Sequence, residues 1–176
     1  MRQRTLQLGI ACALIAVAVC LRLLPHPANF APVAAIALFG GTVLPRYIAP
    51  WVPLGAMATS DLFLGFYDII SITWACYVLI ALASSQWLQR PTVRRVGVMT
   101  LLASLFFFVA TNFAVWAAGT MYTHDLAGLV QCYELALPFF RGTLVSDLVY
   151  TASLFGLYAL AIQLPARKNF VTERSI

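Results

Sequence analysis

Charge is what this sequence has least of. Of 176 residues, 10% are Asp, Glu, Lys or Arg and 62% are hydrophobic; mean hydropathy is +0.88. A soluble domain carries about a quarter of its residues as charges, so this composition excludes an ordinary water-soluble fold. Acidic groups are scarcest, with six Asp and Glu in all, and there are two histidines. No glycine-rich phosphate loop, HExxH or paired CxxC occurs, which removes the motif-bearing nucleotide and zinc enzymes. The four cysteines, Cys12, Cys20, Cys76 and Cys132, have neither disulfide-framework nor zinc spacing. The net charge of +5 does not point to nucleic acid, because the basic residues stand singly between apolar runs.

What is present in quantity is long apolar sequence. Arg2 and Arg4 precede "LQLGIACALIAVAVCLRLL", a run too long for a signal-peptide core and without a small-residue cleavage site, so it reads as a membrane helix. A helix needs roughly 20 apolar residues to cross ~30 Å of hydrocarbon. Six candidates follow, at about 5–24, 30–45, 47–66, 69–88, 94–118 and 143–164. The expected architecture is an all-α integral membrane protein, one transmembrane domain over 1–176. Pro45 separates the second candidate from the third; the alternative is one long kinked element and five spans. Six spans with an inward N-terminus put Arg2, Arg4, Arg46, Arg90, Arg94, Arg95, Arg167, Lys168 and Arg174 inside, and only Arg22 and Arg141 outside. That bias places both termini in the cytoplasm. A bacterial inner membrane is the expected location.

The same topology gathers polar and aromatic residues at the outer face. "SDLFLGFYD" puts Asp61 at the outer end of the third helix, and Tyr67 and Asp68 in the following loop. The first outer loop, "LLPHPANF", supplies His26 and Asn29; the fourth helix adds Trp74 and Tyr77, the fifth Asn112 and Trp116, the last loop Tyr122 and His124, and the sixth helix Asp147. In the last loop Leu126, Leu129, Val130, Tyr133 and Leu137 recur at helical spacing, which predicts an interfacial helix over about 124–138. Polar groups at membrane depth are functional candidates. Each also has a plain structural use. Trp and Tyr form interfacial belts, Asp61 pairs with Arg22 or Arg141, Asn112 bonds a neighbouring helix, and His124 and Asp125 cap the interfacial helix. Cys76 is either a small buried hydrophobe or a soft thiolate ligand at the floor of the pocket. Small residues Ala31, Ala35, Ala37 and Gly41 recur at four-residue spacing in the second helix, for internal packing or for docking a membrane partner.

The series "LLPHPANFAPVAAIALFGG", "AMATSDLFLGFYD", "TNFAVWA" and "CYELALPFFRGTLVSDLVY" looks like a family of small bacterial membrane proteins over roughly 22–156. With six helices and an outward pocket, it resembles the S components of energy-coupling-factor (ECF) vitamin transporters. Within those, Cys76 is similar to the membrane cysteine of the cobalamin-specific BtuM type. The resemblance implies that Cys76 is the axial ligand to the cobalt of cobalamin, displacing cyanide from cyanocobalamin on binding. It implies aromatic contacts to the corrin ring and polar contacts to its amides, with cobalamin as transported ligand and no prosthetic group. An ECF energising module is the implied partner. The first helix departs from the pattern, however: "ACALIAVAV" has no alanines at i and i+4, so solitary operation stays open.

The leading expectation is a vitamin carrier, cobalamin first. The alternatives are a carrier of another small ligand or of cobalt or nickel ions on His26, Asp61, His124 and Asp147; an enzyme using Asp61 and Asp147 as acid and base; and an accessory membrane protein without ligand.

Overall fold

The computed structural model describes residues 2–24 and 30–173, with side chains over 5–24 and 30–163. The described residues form six helices and no strand. These are α1 (Arg2–Leu23), α2 (Val33–Val43), α3 (Trp51–Leu64), α4 (Ile70–Trp87), α5 (Val93–Ala118) and α6 (Leu126–Glu173). By length and composition four segments are fit to cross a membrane: Thr5–Leu23, Ile70–Trp87, Val93–Ala118 and Leu126–Gln163. Helices α2, at 11 residues, and α3, at 14, fall short of the roughly 20 needed to cross alone. The protein therefore has the character of an integral membrane protein. Its outer surface agrees: Leu62, Phe63, Val93, Val109, Phe113 and Leu160 are all exposed. Such a surface would drive aggregation in water and is well solvated by lipid.

The short helix α2 occupies the centre. Every residue from Val33 to Gly41 is buried, and α2 touches all five other helices. Ala35, Ala37 and Gly41 serve packing inside the bundle, while Ala31, just before the helix, is half-buried. The closest approach is to α4: a Cβ at Gly41 would overlap the Ser84 hydroxyl and the Ala81 carbonyl. Glycine is thus required there by the neighbouring backbone. On the opposite side Phe39 meets Phe155 and Tyr158 edge-on, at 5.3 and 5.4 Å. A fully buried helix reads as apolar on every side, so its amphipathic period is absent.

The segment 44–50 settles the choice between two helices and one kinked element. Leu44 is extended, and Ile48 and Ala49 donate their N–H groups to the Pro45 carbonyl at 2.8 and 3.0 Å, closing a turn. Pro50 and Pro53 stand at the start of α3, where the missing N–H groups have no intrahelical partner to lose. Helix α3 ends at Gly65, whose φ of 96° is open to glycine without strain.

One expectation is corrected. The interfacial helix about 124–138 and the last span about 143–164 are a single helix, α6, running through Pro138 and Gly142. Proline removes one N–H and disfavours helix before it, but α5 holds α6 on both sides of the interruption. Phe108 packs on Tyr133 at 5.6 Å and on Phe140 at 4.6 Å, and the Tyr133 hydroxyl donates to the Val109 carbonyl at 2.8 Å. Asp125 caps the helix: its Oδ1 accepts from the Gly128 N–H and the Thr123 hydroxyl, each at 2.7 Å.

Candidate functional site

A cavity of about 490 Å³ lies among the helices. Its lining comes from the C-terminal parts of α1, α3 and α5 and the N-terminal parts of α2, α4 and α6. Helices joined by short turns alternate in direction, so these parts meet at one end of the bundle. The volume is in the range of small-molecule sites, roughly 300–1,000 Å³.

One wall is built on a buried ion pair. Arg22, in the last turn of α1, has its Nη2 2.7 Å from Asp61 Oδ1 on α3. Its Nη1 donates to the Met57 sulfur, one turn before Asp61. The second carboxylate oxygen of Asp61 accepts from Trp74 Nε1 of α4 at 2.8 Å. Asp61 is 1% exposed, and three helices are tied at this one carboxylate. This answers why a carboxylate stands among apolar residues in "SDLFLGFYD": it neutralises Arg22, which is among the residues lining the cavity. Tyr67, in the turn between α3 and α4, shares a side-chain hydrogen bond with Thr73; burial pushes its hydroxyl pKa upward, and that hydrogen bond opposes the shift.

The facing wall belongs to α5 and α6. Asp147 is 3% exposed and its Oδ2 is 2.6 Å from the Ser104 hydroxyl. Phe107, Phe108, Phe139 and Phe140 form the aromatic sides, with Tyr77 stacked on Phe107 at 4.8 Å. Tyr77 of α4 lines the cavity together with Arg22 and Asp147. Asn112 also faces the cavity, its Nδ2 donating to the Phe108 carbonyl at 2.8 Å.

Of the residues singled out in the sequence, Tyr67, Tyr77, Asn112 and Asp147 line the cavity, while Asp61 and Trp74 hold Arg22 in place. Others lie elsewhere. Asp68 is exposed in its turn. Trp116 donates to the Thr123 carbonyl at 2.9 Å and meets the His124 ring edge-on, fixing the loop before α6; neither it nor Tyr122 is among the lining side chains. Cys76 is 3% exposed and is not among the lining side chains, while Thr73 and Tyr77 on the same helix are. His26 and Asn29 lie outside the described residues. Among the described residues no three His, Cys, Asp or Glu side chains converge for a metal ion. Both Asp61 oxygens are engaged, one by Arg22 and one by Trp74. The aromatic wall of α5 and α6 is the part that sequence reasoning missed. The run "LFFFVATN" signals it only by bulk, since phenylalanines face lipid equally well.

No curated protein and no solved structure matches the chain. A family model covers residues 2–169, nearly the whole length, and by that match the chain belongs to DUF6580, a family of unknown function.

Proposed function

We propose that this protein is a membrane carrier that binds a small organic solute in the cavity and moves it across the bilayer. The observation that supports this best is the contrast between exterior and interior. An apolar, lipid-compatible surface encloses a cavity with Arg22, Asn112, Asp147 and two tyrosines in its walls. A structural bundle gains nothing from burying charges around a void. In this reading all six helices cross or enter a bacterial inner membrane with both termini in the cytoplasm. The cavity end faces outward and the Arg46, Arg90, Arg94 and Arg95 end faces inward, in accord with the positive-inside bias. The resemblance to vitamin-binding S components suggests a water-soluble vitamin as solute and an ECF module, or none, as the energy source.

A corrinoid is several times bulkier than the ligands that cavities of this size enclose. Cys76 is also absent from the side chains that line the cavity. The geometry therefore favours a smaller solute. The test is thermal unfolding of the purified protein in nanodiscs against a panel of water-soluble vitamins, cobalamin included. A true ligand at 100 times its Kd stabilises by about 2.7 kcal/mol. Stabilisation by one compound, absent in the cavity-filling variant Thr143→Trp, supports the carrier. Stabilisation by none across the panel, or equal stabilisation in the variant, counts against it. A visible-band shift on adding cobalamin, lost in Cys76→Ala, would restore the corrinoid.

A further inference from the structure

The cavity contains two charged groups of unlike standing. Arg22 is matched by Asp61. Asp147 has no cation against it among the described residues; its one protein partner is the neutral Ser104 hydroxyl, on Oδ2. Oδ1 makes no hydrogen bond to a described residue, yet among the described residues the only fully buried side-chain polar atom left without a partner is Thr151 Oγ1. Oδ1 is therefore open, and the space it opens to is the cavity that Asp147 lines. With the ion pair neutralised, the described lining has an excess of one acidic group. A carboxylate so deeply buried wants a cation or several donors.

The neutral groups of the α5 and α6 wall add acceptors. The hydroxyls of Thr111 and Thr143 donate to the Phe107 and Phe139 carbonyls of their own helices, which leaves their lone pairs. Asn112 spends one N–H on the Phe108 carbonyl and keeps its oxygen and its second N–H. The other donors of the lining, on Arg22, Tyr67 and Tyr77, come from α1, α4 and the turn before α4. The wall that carries Asp147 thus combines acceptors with aromatic faces, which attract cations through their π electrons.

We infer that the cavity selects an organic ammonium ion bearing an apolar or aromatic body, its N–H groups on Asp147 Oδ1 and its body against the α5 and α6 phenylalanines. This rests on the carrier reading and narrows its solute class. A metal ion does not fit as well, since hard cations take six or more oxygens and compact ligand shells.

The test uses three probes of one shape: 2-phenylethylammonium, 2-phenylethanol and phenylacetate, titrated calorimetrically at neutral pH into the protein in nanodiscs. A hydrogen bond to a charged group changes affinity by about tenfold or more, so the ammonium should bind at least that much tighter than the alcohol, and phenylacetate most weakly. Asp147→Asn should bring ammonium and alcohol to within about twofold, while Asp147→Glu, which keeps the charge and checks folding, retains the preference. If ammonium and alcohol bind alike in the wild type, and both are lost in Thr143→Trp, the cation preference is overturned and the carrier stands. A preference that survives Asp147→Asn overturns the assignment to Asp147. Binding of none of the three, or binding of all three undisturbed by Thr143→Trp, overturns the inference, and the second result removes the cavity reading with it.

Discussion

Asp61 illustrates how a single side chain fixes several elements. Its two oxygens receive Arg22 from α1 and Trp74 from α4, and its own helix is α3. Removing one partner of a buried ion pair strands the other charge, at a cost of about 3–5 kcal/mol. Asp61→Leu should therefore lower thermal stability sharply in nanodiscs. The double variant Arg22→Met with Asp61→Leu should recover most of the loss, because no charge is left buried. A single variant as stable as wild type would show that Arg22 reaches water or lipid headgroups instead. The pairing was legible in the sequence to the extent that Asp61 had two candidate cations. Choosing Arg22 over Arg141 needed the packing of α1 on α3. Whether Cys76 lines the cavity was not legible, because which face of a helix a residue presents depends on helix rotation.

At the scale of the element, α2 and α6 are the instructive helices. For α2, the contact of Gly41 with α4 predicts that Gly41→Ala is damaging, although alanine is the better helix former. The added methyl would meet the Ala81 backbone, which cannot turn away. Overpacking of this kind costs typically about 1–3 kcal/mol, so Gly41→Ala should lower the unfolding temperature where the same change at Gly156, which has open space around it, should not. For α6, Asp125 holds the N-terminus. Its hydrogen bonds from Gly128 and Thr123 keep its pKa below the ordinary carboxylate value. A depressed folded-state pKa means the cap stabilises above the ordinary value and is lost as pH falls through the depressed one. Asp125→Ala should accordingly lower the unfolding temperature at neutral pH, and the gap from wild type should close at strongly acidic pH. A gap independent of pH would assign the effect to packing. The start of α6 was readable from capping chemistry. Its continuity was not, since Pro138 and Gly142 are break signals that only the aromatic contacts with α5 override.

For the whole molecule, the segregation of polarity to one end follows from chain order. Alternating helices bring Arg22, Tyr67, Asn112 and Asp147 together although they are scattered over the sequence. The hydrophobic runs made that end predictable. Which side chains enclose the space was not, because Phe107, Phe108, Phe139 and Phe140 are as compatible with lipid as with a ligand. Helices α2 and α3 are shorter than the apolar stretches that contain them. Their truncation comes from Pro32, Pro45 and Pro50, which set where helix can start and stop. The account as a whole stands on the cavity being a solute site. Native mass spectrometry of the protein extracted from its own membranes tests that most directly. The expected result is a bound small organic molecule, of a size the cavity can hold, that is missing from Thr143→Trp. A protein that carries nothing but lipid, identically in wild type and variant, would contradict it.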